Sequence, residues 1–188
     1  PDSLLGSAWP VMHKAFQVPL SYAGLVTMII SGGTICSSLM SERLTKKFGT
    51  QIVTVFSVML TAIALFGFST ASAFWMLCLW AIPYGLGAGA IDAALNNYVA
   101  LHYNSRHMSW LHCFWGLGTI ISPYVMSYAL TTSVWQNGYR MVSFIQIGIA
   151  LILFVTLPIW KVNKKETAQE EKAEEEMVGI KGALKIKG

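Results

Sequence analysis

Asp92 is the residue best placed to do chemistry. It is the one charged residue between Gln51 and Ala100. The surrounding run is Pro83-Tyr-Gly-Leu-Gly-Ala-Gly-Ala-Ile-Asp92-Ala-Ala-Leu-Asn96-Asn97-Tyr98. At about 100° per residue, Gly85, Gly89, Asp92 and Asn96 fall within an arc of about 60° on a helix. The glycines let a neighbouring helix or a ligand approach the backbone. Asn96 sits one turn from Asp92, within hydrogen-bonding reach. An acid at membrane depth is costly when charged. Such a group is suited to taking up and releasing a proton, which proton-coupled movement of a solute requires. The alternative is that Asp92 pairs with a polar neighbour and only fixes packing. Asn97 points elsewhere on the helix, as either a substrate contact or a bystander.

A second polar stripe follows. His112, Gly116, Thr119 and Pro123 share one helical face, with Trp115 at its edge. An indole beside hydrogen-bonding groups suits a sugar ring, whose C–H face stacks on aromatics while its hydroxyls need partners. Trp115 serves equally well as a packing residue. His112 reads as a proton relay, a substrate contact or an interfacial polar residue. His102, His107 and His112 recur every five residues, which does not place them on one helical face, so no metal site is expected. Gly85-x-Gly87-x-Gly89 is not a nucleotide loop, because no strand precedes it. Nor is there a nucleophile–base constellation, so an enzyme is not expected, and no cofactor is implied. Cys36, Cys78 and Cys113 lack metal or disulfide spacing and read as small packing residues.

The elements holding these residues follow from composition. The chain has 188 residues, of which 54% are apolar and 12% charged. Soluble domains carry about 25% charged residues. Mean hydropathy is +0.53. The apolar runs predict an all-α membrane bundle of six helices, over 1–12, 20–40, 52–69, 74–100, 110–130 and 141–160. The first is too short to span and reads as a helix cut by the start of the sequence, which opens Pro-Asp-Ser without a Met. Residues 161–188 hold seven Lys and six Glu and read as a solvated linker leading to a second half. Positive charge gathers in the loop at 41–50, in the loop at 101–109 and after 160. These segments, with the tail, are therefore expected on the cytoplasmic side of a cell membrane. Trp75 and Trp160 read as interfacial anchors. The pI near 9.0 does not signal nucleic acid, since the excess is spread over loops and tail. In the second helix Gly33, Ser37 and Ser41 recur every four residues, a small-residue packing face.

Three local patterns resemble the major facilitator superfamily. Ser38-Leu-Met-Ser-Glu42-Arg43-Leu-Thr45-Lys46-Lys47 resembles its signature segment between helices two and three, Gly-x-x-x-Asp-Arg-x-Gly-Arg-Arg. All charge signs match, while Ser38 and Thr45 replace the glycines. The resemblance implies a charge-based latch at Glu42, Arg43, Lys46 and Lys47. Gly87-x-Gly89-x-x-Asp92-x-x-x-Asn96-x-Tyr98-Val99 resembles the fourth helix of fucose–proton symporters, Gly-x-Gly-x-x-Glu-x-x-x-Asn-Pro-Phe-Val. That places proton coupling on Asp92. Gly118-x-x-x-Ser122-Pro123 echoes a fifth-helix Gly-Pro motif of proton-driven antiporters. Fucose symporters also carry an acid in helix one. Here Gly6 stands at that position and Asp2 lies one turn earlier.

The resemblance implies half of a transporter working by alternating access, with protons and a small molecule such as a sugar as partners. The other half of the fold and the bilayer complete the set. The substrate contacts would be Asn96, Asn97, His112, Trp115 and Thr119. Two other readings stand beside it: an efflux antiporter for amphipathic compounds, and a non-transporting membrane receptor or scaffold.

Overall fold

A computed structural model describes residues 2–157. Among them are six helices: α1 Asp2–Ala15, α2 Tyr22–Phe48, α3 Thr50–Thr70, α4 Phe74–His102, α5 Ser105–Thr132 and α6 Trp135–Leu157. Helices α2 to α6 are each long and apolar enough to cross a membrane. α1 has 14 residues, about 21 Å at 1.5 Å per residue, against a hydrocarbon layer of about 30 Å. Residues up to Leu151 form one compact unit, and a second begins at Ile152. The predicted linker at 161–188 and Trp160 lie outside the described residues.

α4 is the hub, packed lengthwise against α2 and α3. Its glycines make this possible. A Cβ at Gly85 would overlap the Ile30 carbonyl oxygen, and one at Gly89 would overlap the Thr34 carbonyl oxygen, both on α2. A Cβ at Gly87 would lie 2.7 Å from Thr61 Cγ2 and 2.9 Å from the Ser57 carbonyl oxygen of α3. Three glycines at alternate positions therefore serve two neighbours. Gly85 and Gly89, four apart, face α2, while Gly87 faces α3. Across the α2 contact, hydroxyls donate to α4 carbonyls: Thr34 to Gly85 (3.3 Å), Ser38 to Gly89 (3.2 Å) and Ser41 to Ala90 (3.3 Å). Gly33, Ser37 and Ser41 lie in this seam, and the serines are buried.

The two ends of the bundle differ. At the end where α1 meets α2 and α5 meets α6, aromatic rings fill the core. Tyr139 is buried, with Phe68 and Trp135 edge-on to it at 5.5 and 6.0 Å. Its hydroxyl reaches Met12 Sδ at 3.8 Å. Trp9 packs near Phe74 and donates its indole N–H to the Leu20 carbonyl at 2.7 Å. Ser143 of α6 donates to the Ala62 carbonyl of α3 at 2.8 Å, which satisfies a buried hydroxyl. The other end carries Glu42, Arg43, Lys46, Lys47 and Arg106, against Lys14 and Arg140 at the aromatic end.

Three boundaries differ from those expected. The predicted loop at 41–50 is helical through Phe48, and a single residue, Gly49, separates α2 from α3. Charge does not end a helix there. Glu42 and Lys46 pair at 2.6 Å one turn apart, and Thr45 bonds back to the Ser41 carbonyl at 2.9 Å. Gly49 makes the turn at φ 86° and ψ 150°, and its N–H bonds the Thr45 carbonyl. The predicted loop at 101–109 shrinks to Tyr103 and Asn104, because the polar run from Ser105 is the first turn of α5. α6 starts at Trp135 rather than 141. Trp135, Gly138 and Tyr139 are buried at helical spacing within a stretch whose Gln136, Asn137 and Arg140 give it a loop-like composition. Of the cysteines read as packing residues, Cys78 lies against the core, while Cys36 and Cys113 lie on exposed faces.

Two outcomes follow. Gly85→Ala and Gly89→Ala should each destabilise the bundle by about 1–3 kcal/mol through overpacking. Gly116→Ala and Gly118→Ala, with nothing within 4 Å of the added carbon, should cost nothing measurable. Denaturation in detergent followed by circular dichroism separates the two pairs, and equal losses would remove the seam from the account. Gly49→Ala should cost about 1–3 kcal/mol from backbone strain alone by the same measurement.

Candidate functional site

Asp92 lies where the α2 contact turns away. Nearer the aromatic end, α2 covers the Gly85–Gly89 side of α4. One turn further, Ser41 bonds Ala90, and α2 has moved round toward Ala93 and Ala94. Asp92 is left exposed, with Asn96 half-buried beside it. The expected stripe of Gly85, Gly89, Asp92 and Asn96 is therefore split. Its glycine half is closed by α2, and its polar half is open.

Asn96 Nδ2 donates to Asp92 Oδ1 at 3.1 Å. A carboxylate only accepts, so the amide must turn its N–H₂ toward it. The Asn96 carbonyl oxygen is then left over. It is buried and has no hydrogen-bond partner. The pair thus presents an exposed carboxylate to the outside, while the unpartnered Asn96 oxygen is buried behind it.

Asn97 is not part of this pair. It lines a cleft of about 490 Å³ together with Ser41, Glu42, Thr45, Lys46 and Thr50. Sequence reasoning placed it among the substrate contacts; the structure sets it against the charged end of α2. Asn97 is about 140° round the helix from Asp92, so the separation was readable from spacing. The cleft was not, because it depends on α2 staying helical to Phe48. Within the charged segment, Glu42 and Lys46 pair with each other, Lys47 lies 5.3 Å from the Phe48 ring centre, and Arg43 is exposed.

The α5 stripe is open over most of its length. His112 and Trp115 are exposed, and Thr119 is half-buried. The Thr119 hydroxyl bonds the Gly116 carbonyl at 2.7 Å. Pro123 has no N–H for the Thr119 carbonyl, yet α5 runs unbroken past it. The buried residues of α5 are Met126 and Ala129, near the aromatic end. No hydrogen bond joins this stripe to Asp92 or Asn96 among the described residues. His102 stacks on Tyr98 at 4.5 Å, and His107 lies 5.1 Å from Tyr103. Among the described residues, no three His, Cys, Asp or Glu side chains group to hold a metal. Sequence reasoning missed two amides. Gln136 and Gln146 of α6 each carry a buried side-chain oxygen without a partner.

Comparison with known proteins agrees with this architecture. Over 156 residues the chain is 23% identical to Bypass of stop codon protein 6 of Saccharomyces cerevisiae, covering 81% of this chain and 31% of that protein. Over 168 residues it is 22% identical to the Glucose/mannose transporter GlcP of Bacillus subtilis, covering 87% of this chain and 40% of that one. The chain thus spans between about a third and two fifths of these relatives. No solved structure gives a significant match. The profile of the Major Facilitator Superfamily matches residues 2–187. With six helices, five of spanning length, and a match over nearly its whole length, the chain belongs to the Major Facilitator Superfamily.

Proposed function

We propose that this chain forms one bundle of a two-bundle secondary transporter that carries a sugar together with a proton. Asp92 takes the proton. Asn96, with Trp115, Thr119 and His112 of α5, receives the substrate, while Asn97 serves it only from the separate cleft beside Glu42 and Lys46. The observation that carries this reading is the exposed Asp92, bonded by Asn96, on a helix with no other Asp, Glu, Lys or Arg. Charged and polar groups inside a membrane protein face a bundle interior or a water-filled cavity. The second bundle supplies the opposite wall of that cavity. Alternating access then follows from rocking one bundle against the other about a site near midplane. The distant likeness to a protein named as a glucose/mannose transporter supports a sugar as cargo.

On this reading the charged end faces the cytoplasm, where Lys and Arg of short loops concentrate. Glu42, Arg43, Lys46 and Lys47 form the latch against the second bundle. The Glu42–Lys46 pair is exposed, with side chains 71% and 75% accessible. Exposed pairs contribute ~0–1 kcal/mol. Its role is to hold the segment helical and present Arg43 and Lys47 outward.

The test uses the transporter containing this chain, whole, in lipid vesicles. Adding its sugar, drawn from a panel of monosaccharides, should make the outside medium alkaline. Asp92→Asn should abolish that signal. Proton movement driven by amphipathic cations instead of sugars would turn the reading to efflux. An Asp92→Asn protein indistinguishable from the parent would leave a packing residue and point to a receptor or scaffold.

A further inference from the structure

The cleft at the charged end has the makings of a site of its own. Its volume of about 490 Å³ falls within the range of about 300–1,000 Å³ usual for small-molecule sites. Three helices converge on it. α2 contributes Ser41, Glu42 and Lys46, α3 its first residue Thr50, and α4 Asn97 and Leu101. Asn97 lies about 140° round α4 from Asp92, so the cleft opens on a different side of the helix from the acid.

The charges in the cleft cancel. Glu42 Oε1 holds Lys46 Nζ at 2.6 Å, and among the described residues no other charged side chain lines the space. The cleft therefore selects neither an anion nor a cation. It offers instead a mixed set of unused hydrogen-bonding groups. Lys46 keeps two N–H donors, and Glu42 keeps its second oxygen. The Asn97 amide and the Thr50 hydroxyl have no hydrogen-bond partner among the described residues. Ser41 gives its proton to the Ala90 carbonyl and keeps its lone pairs. Donors and acceptors side by side suit hydroxyl groups, each of which both donates and accepts. Ala93, Ala94 and Leu101 supply apolar surface for the C–H face of the same ligand.

We propose that this cleft is a second binding site, for a neutral polyhydroxylated solute of the sugar class, separate from the Asp92 face. The Asn97 amide accepts from one hydroxyl and donates to another, Glu42 accepts, and Lys46 and Thr50 donate. A solute seated there touches two of the four residues read as the latch, and it bridges α2 to α4 beyond the last serine bond. The polyhydroxylated character of the ligand stands on the lining of the cleft alone. That the solute is also the cargo, and that it arrives from the cytoplasm, rests on the transport reading above.

Protection of a thiol tests this. The whole transporter sits in phosphatidylcholine nanodiscs, open on both faces, with Leu101→Cys as its single thiol and every native cysteine replaced by alanine. Leu101 lines the cleft and is 70% exposed, so a maleimide can reach that position. D-Glucose or D-mannose should slow labelling saturably, about tenfold at ~10 times the half-protecting concentration. Inorganic phosphate and choline should not. Trp115→Ala, which removes the indole from the α5 stripe, should keep the protection. Asn97→Leu should lose it with the sugar-free labelling rate unchanged, and Thr50→Val should weaken it if the Asn97→Leu protein fails to fold. No protection by either sugar, or protection by phosphate or choline instead, overturns the second site and leaves the transport reading standing. Protection lost with Trp115→Ala but kept with Asn97→Leu overturns it too, since the sugar then acts from the α5 stripe. Protection by sugar without any sugar-driven proton signal in vesicles upholds the cleft and sinks the transport reading alone.

Discussion

The fold depends on one close approach, the backbone of α2 against the backbone of α4. Lipid tails are as apolar as leucine, so helices in a bilayer gain little by hiding apolar side chains from each other. They gain by contact at short range and by hydrogen bonds across the seam. Gly33, Gly85 and Gly89 remove the side chains that would hold the helices apart. Thr34, Ser38 and Ser41 then place hydroxyls on carbonyls of the facing helix. Each such bond is worth ~0.5–1.5 kcal/mol, and the set fixes register as well as distance. Because Ser38 and Ser41 bond the residues three and two before Asp92, the same seam sets where the carboxylate stands.

From that seam the two ends diverge for a physical reason. Toward Trp9, Tyr139 and Trp135 the bundle is closed by large rings, which fill the space left where six helices converge. Toward Glu42 and Lys46 the residues between helices are small and polar, and they leave a cleft instead of a core. A bundle tight at one end and loosely filled at the other presents different surfaces at its two ends.

How much of this the sequence carried varied with the kind of signal. The long apolar runs identified the spans, because a bilayer demands about twenty apolar residues in a row. Charge was misread as loop at Glu42–Lys47 and Ser105–Arg106, since helices extend past the apolar layer when i,i+4 pairs and good helix formers continue them. The arc holding Gly85, Gly89, Asp92 and Asn96 was readable from periodicity. What periodicity lacks is the neighbour. It treats the four as one face, whereas a crossing helix covers only the length of face it meets before it diverges. The grouping of Asn97 with Glu42 and Lys46 was hidden for the same reason, as was the orphaned Asn96 oxygen, which follows from the direction of a single hydrogen bond.

The open face of α4 bears on what the chain is for. Apolar residues lie outward over most of α5 and α6, as lipid contact requires. Asp92 lies outward too, and lipid would not tolerate it there charged. A carboxylate with one amide for company needs water or protein opposite. If its role were packing alone, α2 would be expected to cover it as it covers Gly89, and the serine bonds to Gly89 and Ala90 show that α2 is within reach. Instead the contact veers to the Ala93–Ala94 side and leaves the acid bare. Such a residue calls for something other than lipid opposite it, which the proposed cavity against a second bundle would supply.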